Sequence, residues 1–264
     1  MLFDSKTCPK CESVHDALLD YCPSCHTRNE ENEKYRVTFL PVTIEVFLLL
    51  LGIVGFILFS VLFSLIFASI YDSNKLQGEM LISLSSYLLF FAFVIVLLFP
   101  YGRNLLLKLK SYQPYIAGIL GCGVLIAGSY FLSFIATTIN PNIGTGDNQT
   151  SVVQLTQNYP AFAIIIFGFI GPICEEAAYR LGLFTFFKRI RPWLAYLVTG
   201  IVFGLIHFNF LSKDIATEFL VLPNYIWGGI LFSLLYDKFG IGASVTAHIA
   251  NNLLQVILII AGVS

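Results

Sequence analysis

The chain has 264 residues, of which 57% are hydrophobic and only 12% are charged, and its formal net charge is −1. Soluble domains carry about 25% charged residues, and several apolar runs in this chain are long enough to span a membrane. The composition therefore excludes an ordinary soluble domain and predicts an all-α polytopic protein embedded in the lipid bilayer. A chain without excess positive charge is not expected to bind nucleic acid.

Residues 1–27 are polar and contain two C-x-x-C pairs separated by ten residues, Cys8-Pro-Lys-Cys11 and Cys22-Pro-Ser-Cys25. Each pair places two thiolates on one tight turn, and a tetrahedral zinc ion takes four such sulfurs. We predict a small zinc ribbon that draws its folding free energy from the metal and offers a surface to a cytosolic protein partner. Disulfides or an iron–sulfur cluster are the alternative interpretations.

Residues 28–40 have the composition of a charged linker, and residues 41–264 that of a transmembrane domain. The apolar pattern predicts about seven transmembrane helices, near residues 41–71, 80–100, 114–138, 160–187, 193–211, 216–236 and 241–262. Glu218 and Pro223 interrupt the sixth segment. Pro223 is expected to kink or break that helix.

The basic residues predict the orientation in the membrane. With a cytoplasmic N-terminus, twelve of the fifteen Lys and Arg residues fall on the cytoplasmic side and two on the outside, as the positive-inside rule requires. We therefore expect a multi-pass plasma-membrane protein, of bacterial type, with its C-terminus outside. The four N-terminal cysteines then lie in the reducing cytosol, which favours a metal over disulfides. The loop at about 139–159, which lacks Lys and Arg, is expected outside.

Three charged residues fall inside the fourth predicted span, Glu175, Glu176 and Arg180. A charge at that depth costs about 2.5–3.5 kcal/mol on insertion scales, so it indicates a functional site. Glu176 and Arg180 are four residues apart and share a helix face, whereas Glu175 is turned away by about 100°. We interpret Glu176–Arg180 as a stabilising pair and Glu175 as the reactive carboxylate. The alternative is a neutralised cluster that only fastens helices together.

Two histidines, His207 and His248, also fall inside predicted spans. Phe203 precedes His207 by four residues and Asn252 follows His248 by four, so each pair shares a helix face. Histidines together with a carboxylate can hold or activate a water molecule, either directly or through a metal. A lone membrane histidine is usually a packed structural residue, but two histidines and a di-glutamate in three spans indicate a catalytic site.

Three motifs in this chain have the order and spacing of a known family. They are E-E-x-x-x-R at Glu175–Arg180, F-x-x-x-H at Phe203–His207 and H-x-x-x-N at His248–Asn252. Together they resemble the CPBP family of intramembrane proteases, which includes the type 2 CAAX prenyl endopeptidase and bacterial abortive-infection-like proteins. The resemblance covers about residues 80–264, and the cysteine segment lies outside it.

The resemblance implies hydrolysis of a membrane peptide or protein within or near the bilayer. It implies Glu175 as general base, His207 and His248 as oxyanion stabilisers or ligands, and Asn252 as an assisting group. An active-site Zn²⁺ would be held by Glu175, His207 and His248. Members with the CAAX activity are usually described with eight spans, so prenyl-peptide specificity is not implied. A catalytically silent scaffold or immunity protein and a transporter with a Glu/His proton relay are the alternative functions.

Overall fold

The computed structural model describes residues 5–16, 19, 21–27 and 39–263. Most of the predicted linker, residues 28–38, lies outside the described residues. The N-terminal segment forms a two-stranded antiparallel sheet of β1 (Ser5–Thr7) and β2 (Val14–Asp16), with Lys6 opposite His15. The cysteine pairs lie on the turns next to this sheet.

The described part of residues 41–264 forms nine helices. In chain order they are α1 (Val42–Ile66), α2 (Ala68–Ser73), α3 (Lys75–Lys108), α4 (Gln113–Ile139), α5 (Asp147–Asn158), α6 (Pro160–Ile190), α7 (Pro192–Leu205), α8 (Ile215–Phe239) and α9 (Ile241–Ile260). Six of them, α1, α3, α4, α6, α8 and α9, are long and apolar enough to cross a membrane. The shorter α7 corresponds to the fifth predicted segment. The expected all-α polytopic architecture is confirmed.

Helix α7 is shorter than the predicted span at 193–211. Its 14 residues extend about 21 Å at 1.5 Å per residue, less than the ~30 Å hydrocarbon core. Beyond it, the side chains of Asn209 and Ser212 accept hydrogen bonds from the backbone N–H groups of Leu211 and Asp214. Such local bonds compete with the helical ones. His207 lies in the turn after α7, whereas the predicted span at 193–211 placed it within a helix.

Helix α8 runs unbroken through Pro223. Proline has no N–H, so the helix forgoes one backbone hydrogen bond at that point. Transmembrane helices tolerate this loss when neighbouring helices support them, and α8 packs against α4, α7 and α9. The expectation that Pro223 would break the sixth span is therefore wrong.

Helix α6 is the centre of the bundle. In its most apolar 18-residue stretch, 50% of the residues are buried, against 11% in the corresponding stretch of the peripheral α1. Every residue from Ala177 to Phe184 is buried. Two stretches are π-helical, Ile166–Ile170 and Ala177–Phe184. The first is explained by Pro172, which cannot donate to the carbonyl four residues earlier and crowds it. In the widened turn, the N–H of Gly171 donates to the carbonyl oxygen of Ile166, five residues earlier.

The C-terminal end of α6 forms ion pairs with its neighbours. Arg189 donates from Nε and Nη2 to the two carboxylate oxygens of the buried Glu45 on α1, at 2.8 and 2.6 Å. Lys188 pairs with Asp237 of α8, and Asp237 also accepts a hydrogen bond from the hydroxyl of Tyr196 on α7 at 2.7 Å. These contacts hold α1, α7 and α8 around the helix that carries the two glutamates.

Helix α1 contacts the second π-helical stretch of α6 through Gly182. A Cβ atom at Gly182 would lie 2.7 Å from the backbone nitrogen of Leu49 and 3.0 Å from the carbonyl oxygen of Glu45. Both atoms belong to the backbone and cannot move aside without shifting α1. We expect Gly182→Ala to destabilise the purified protein by about 1–3 kcal/mol, the usual cost of overpacking, measured by unfolding in detergent.

Gly123→Ala on α4 is the matched control, because a Cβ atom there meets nothing within 4 Å. It makes the same chemical change in a membrane helix and should leave the free energy of unfolding nearly unchanged. Equal stability of the two variants would contradict the close packing of α1 on α6.

Candidate active site and cysteine cluster

The four N-terminal cysteines form a compact cluster. Their sulfur atoms all lie within 4.8 Å of one another, with Cys8 and Cys25 at 3.6 Å and Cys11 and Cys22 also at 3.6 Å. A tetrahedral zinc ion with Zn–S bonds of about 2.3 Å spaces its sulfurs by about 3.8 Å. The cluster therefore fits a metal ion, as the prediction of a zinc ribbon requires.

The sulfur chemistry of this cluster also favours a metal. All six cysteines of the chain are free thiols, and the 3.6 Å spacing is far longer than a disulfide bond of about 2.05 Å, which contradicts the disulfide alternative. A hydrogen bond from the Ser13 hydroxyl, with further bonds from backbone N–H groups, lowers the pKa of the Cys22 thiol to about 5. The thiolate is the form that binds metals.

The predicted Glu176–Arg180 pair is present and fully buried. Nε of Arg180 lies 3.0 Å from Oε2 of Glu176, and neither side chain has exposed surface. The guanidinium lies over the rings of Phe203 and Phe232, at 5.1 and 5.6 Å from their centroids. Aromatic faces attract a desolvated cation, so the charge of Arg180 is compensated on more than one side.

Glu176 has a second partner that the sequence did not predict. Its Oε1 accepts a hydrogen bond from Nδ1 of His248 at 2.9 Å. The carboxylate of α6 thus joins Arg180 on its own helix to His248 on α9. Because a carboxylate only accepts, Nδ1 of His248 carries the hydrogen and Nε2 is turned towards Glu175.

Glu175 has a different environment from the adjacent Glu176. Its side chain is 14% exposed and its Oε2 lies 3.8 Å from Nε2 of His248. The hydroxyl of Tyr87 on α3 donates to its Oε1 at 3.4 Å. Glu176 is enclosed and paired, whereas Glu175 is the carboxylate that a water molecule or a substrate can reach.

His207 is oriented by two contacts on the turn after α7. Its Nδ1 lies 2.8 Å from the carbonyl oxygen of Phe203, and since a carbonyl only accepts, Nδ1 carries the hydrogen and Nε2 remains for another partner. The imidazole stacks on the ring of Tyr225 of α8, with centroids 4.6 Å apart and planes 10° apart. The ring of Phe203 lies between the histidines, 5.0 Å from His207 and 5.9 Å from His248.

A cavity of about 550 Å³ brings the three sequence motifs together. Its lining includes Glu175 from α6, His207 from the turn after α7, and His248 and Asn252 from α9. The amide of Asn252 donates to the carbonyl oxygen of Phe167 at 3.0 Å, which fixes its orientation at the cavity wall. Residues separated by up to 77 positions in the sequence thus face one space.

The predicted active-site metal does not have a ligand set as compact as the cysteine cluster. Among the described residues, the four cysteines are the group of three or more potential ligands whose donor atoms lie within 4.8 Å of one another. Glu175, His207 and His248 line one cavity but are not such a group. Their geometry does not fit a tightly held zinc ion.

Two residues of the site were not predicted from the sequence, Tyr87 and Tyr225. Tyr87 follows Ser85 and Ser86 in the otherwise apolar middle of α3, and this polar patch at membrane depth was the available signal. Tyr225 lies among apolar residues and Asn224 on α8. Nothing in its local sequence indicates that it would stack on His207.

The comparison with protein families agrees with this geometry. Residues 157–254 match the family model described as type II CAAX prenyl endopeptidase Rce1-like. The matched range contains all three motifs and therefore confirms the family resemblance over this part of the chain. No solved structure matches the chain.

A curated relative covers more of the chain. A protein of Mycoplasma capricolum subsp. capricolum, described as an uncharacterized protein, is 28% identical over 186 residues, which is 64% of this chain and 53% of the relative. The chain thus spans about half the length of this relative. Its printed description adds no activity, so the activity has to be argued from the site itself.

Removing the charge of Arg180 should first of all lower the free energy of unfolding of the protein. Arg180→Met leaves the carboxylate of Glu176 buried with one partner lost, and breaking a buried ion pair costs about 3–5 kcal/mol. The measurement is the free energy of unfolding in detergent. The control is Lys75→Met, because Lys75 forms an exposed ion pair with Glu79 that is worth less than about 1 kcal/mol. Equal, small effects of both changes would show that the pair assignment is wrong.

The cysteine cluster should account for the bound metal. We expect purified protein to contain about one zinc ion per chain and Cys22→Ser to lose it, as measured by inductively coupled plasma mass spectrometry. Cys122→Ser makes the same change outside the cluster and should retain the metal. Zinc that remains in the Cys22→Ser protein would contradict this assignment and point to a second metal site.

Proposed function

We propose that this protein is an intramembrane endopeptidase that hydrolyses peptide bonds of membrane-associated peptides or proteins with a water molecule activated by Glu175. One observation carries the proposal: a reachable carboxylate, two imidazoles and an amide line the same cavity. The match of residues 157–254 to a CAAX endopeptidase family supports the reaction class.

In the proposed reaction Glu175 is the general base. Its carboxylate takes a proton from a water molecule as the water oxygen attacks the carbonyl carbon of the peptide bond, and it returns the proton to the leaving amine as the carbon–nitrogen bond breaks. The hydroxyl of Tyr87, 3.4 Å from Oε1, orients the carboxylate. The partial exposure of Glu175 to the cavity supports this role, whereas the enclosure of Glu176 does not permit it.

The developing oxyanion needs hydrogen-bond donors. His248 donates from Nδ1 to Glu176, so a second donor at Nε2 requires the imidazolium form. Its ring nitrogens lie 3.8 Å from Oε2 of Glu175 and 2.9 Å from Oε1 of Glu176. His248 and the amide of Asn252 are the proposed oxyanion donors. One such donor typically stabilises the transition state by about 2.7–4 kcal/mol. His207, with Nε2 free, completes the polar wall.

The location and the cofactor are also part of this proposal. A multi-pass plasma-membrane protein with a cytoplasmic N-terminus fits the twelve-to-two distribution of basic residues, and zinc is the proposed ion of the four-cysteine cluster. The substrates are membrane peptides or proteins. Specificity for prenylated C-terminal peptides is not part of the proposal.

A catalytically silent scaffold of the same fold is the second candidate function. The ribbon contacts the membrane domain at the N-terminal end of α4, where Gln113 donates to the carbonyl oxygen of His26 at 3.2 Å. The ring of His26 also packs against Tyr112 with centroids 4.8 Å apart. A ribbon held there could present a cytosolic partner to the membrane domain without any hydrolysis.

Glu175→Gln separates the two functions. It keeps the size of the side chain and removes the base, so cleavage of native substrates should fall by about 100-fold to 10,000-fold, the usual contribution of general acid–base catalysis. The measurement is quantitative mass spectrometry of membrane peptides from cells that produce either protein. Thermal unfolding verifies that the variant is folded.

Glu79→Gln is the matched control, because Glu79 is in an exposed pair with Lys75 on α3 and does not line the cavity. It should produce the same peptides as the unchanged protein. If Glu175→Gln also produces them, Glu175 is not the base. If the unchanged protein yields no products beyond those of cells lacking it, the scaffold function is favoured.

A further inference from the structure

The cavity in front of Glu175 is lined by an unusual number of side-chain amides. They are Asn148, Gln149, Asn224, Asn251, Asn252 and Gln255, contributed by α5, α8 and α9. Polar side chains at membrane depth are costly unless they have hydrogen-bond partners. Each amide offers both a donor and an acceptor, which is the combination that pairs with the N–H and C=O groups of a polypeptide backbone.

Asn224 points most directly to a ligand. Its Nδ2 donates to the hydroxyl of Ser133 at 3.4 Å, but its Oδ1 is buried and has no hydrogen-bond partner among the described residues. A buried acceptor without a partner is unfavourable, because the loss of its hydrogen bond to water is not compensated. A donor such as a peptide N–H in the cavity would remove that cost.

The charge of the cavity wall restricts what can bind there. Within the described lining, Glu175 is the one carboxylate and no Lys or Arg is present. Arg180 lies beneath the wall, enclosed and paired with Glu176. A carboxylate carried into this cavity would meet the carboxylate of Glu175 and no Lys or Arg, and two ammonium groups would share the single carboxylate of Glu175. Unpaired buried charges cost several kcal/mol.

The cavity has an exposed end, which we call the mouth. The exposed residues of its lining are Ser133, Thr137, Gly144, Thr145 and Gln255. They lie near the C-terminal ends of α4 and α9 and on the loop that follows α4. This loop is the one predicted to lie outside, so the mouth is on the side of the molecule opposite the ribbon.

We propose that this cavity binds an extended, uncharged segment of polypeptide that enters through the mouth and pairs its backbone with the lining amides. For a membrane protein with the predicted orientation, that segment follows or precedes a span on the extracytoplasmic side. The inference rests on the proposed function for the cleavage of the bound segment. The binding itself can be measured separately.

The test uses Glu175→Gln protein in detergent and a synthetic peptide, so that binding is measured without cleavage. The peptide has about 20 Leu and Ala residues, enough to span a bilayer, followed by a fluorescently labelled stretch of Gly, Ser, Ala and Gln. Two further peptides carry two Asp or two Lys residues in that stretch. We expect fluorescence anisotropy to show the uncharged peptide binding at least about tenfold more tightly, which corresponds to 1.4 kcal/mol.

Changes at Asn224 test the amide contacts. Asn224→Leu should weaken binding of the uncharged peptide by about tenfold, the effect of losing one or two hydrogen bonds. Asn224→Asp keeps the acceptor and adds a negative charge, so it should shift the preference towards the peptide with Lys. Asn158→Leu is the control, since Asn158 is exposed, bonds only to the carbonyl oxygen of Gln154 and does not line the cavity.

The outcomes separate this inference from the proposed function. Equal binding of all three peptides, no binding of any, or no effect of either Asn224 change would overturn the inference. Cleavage of the peptides is then measured with protein that retains Glu175. Preferential binding without cleavage supports the inference and contradicts the protease function, whereas cleavage regardless of charge supports the protease and contradicts the inference.

Discussion

The carboxylate of Glu176 is buried between the guanidinium of Arg180 and the imidazole of His248, and the candidate site is built around it. Each of these groups would be costly to bury alone, because desolvation of an ion costs several kcal/mol. Together they compensate one another at 3.0 and 2.9 Å. The same contact fixes α9 against α6, so the group that makes the charges tolerable also sets the position of His248.

Glu175 lies outside this buried pair and lines the cavity. The two glutamates are adjacent in sequence, yet one faces the interior of the bundle and the other faces the cavity. The difference follows from the rotation of about 100° between neighbouring residues of a helix and from the packing of α6 on all sides. The π-helical stretches that flank Gly171–Glu176 belong to the same central helix, and π-turns often occur at functional sites. The helix is therefore shaped for the site as well as for packing.

The cavity gives the site its chemical character. Its lining combines Glu175, His207 and His248 with six side-chain amides and with the hydroxyl groups of Ser, Thr and Tyr residues. A site of this kind suits a neutral chain with many backbone hydrogen-bonding groups better than a charged small molecule. The four-cysteine ribbon is at the other end of the molecule, against the N-terminal end of α4, so the proposed metal site and the proposed hydrolysis are separate in space.

The sequence by itself determined the features that depend on local periodicity and spacing. Apolar runs predicted the spans, two C-x-x-C pairs predicted the sulfur cluster, and the i, i+4 spacing predicted the Glu176–Arg180 pair. Contacts between helices depend on their relative rotation and depth, which these patterns do not specify. The bond from His248 to Glu176, the hydroxyl of Tyr87 at Glu175 and the stacking of Tyr225 on His207 were therefore decided only by the tertiary structure. Beyond the early end of α7, the backbone N–H of Asn209 donates to the carboxylate of Glu218 on α8, a contact that the sequence pattern likewise does not specify.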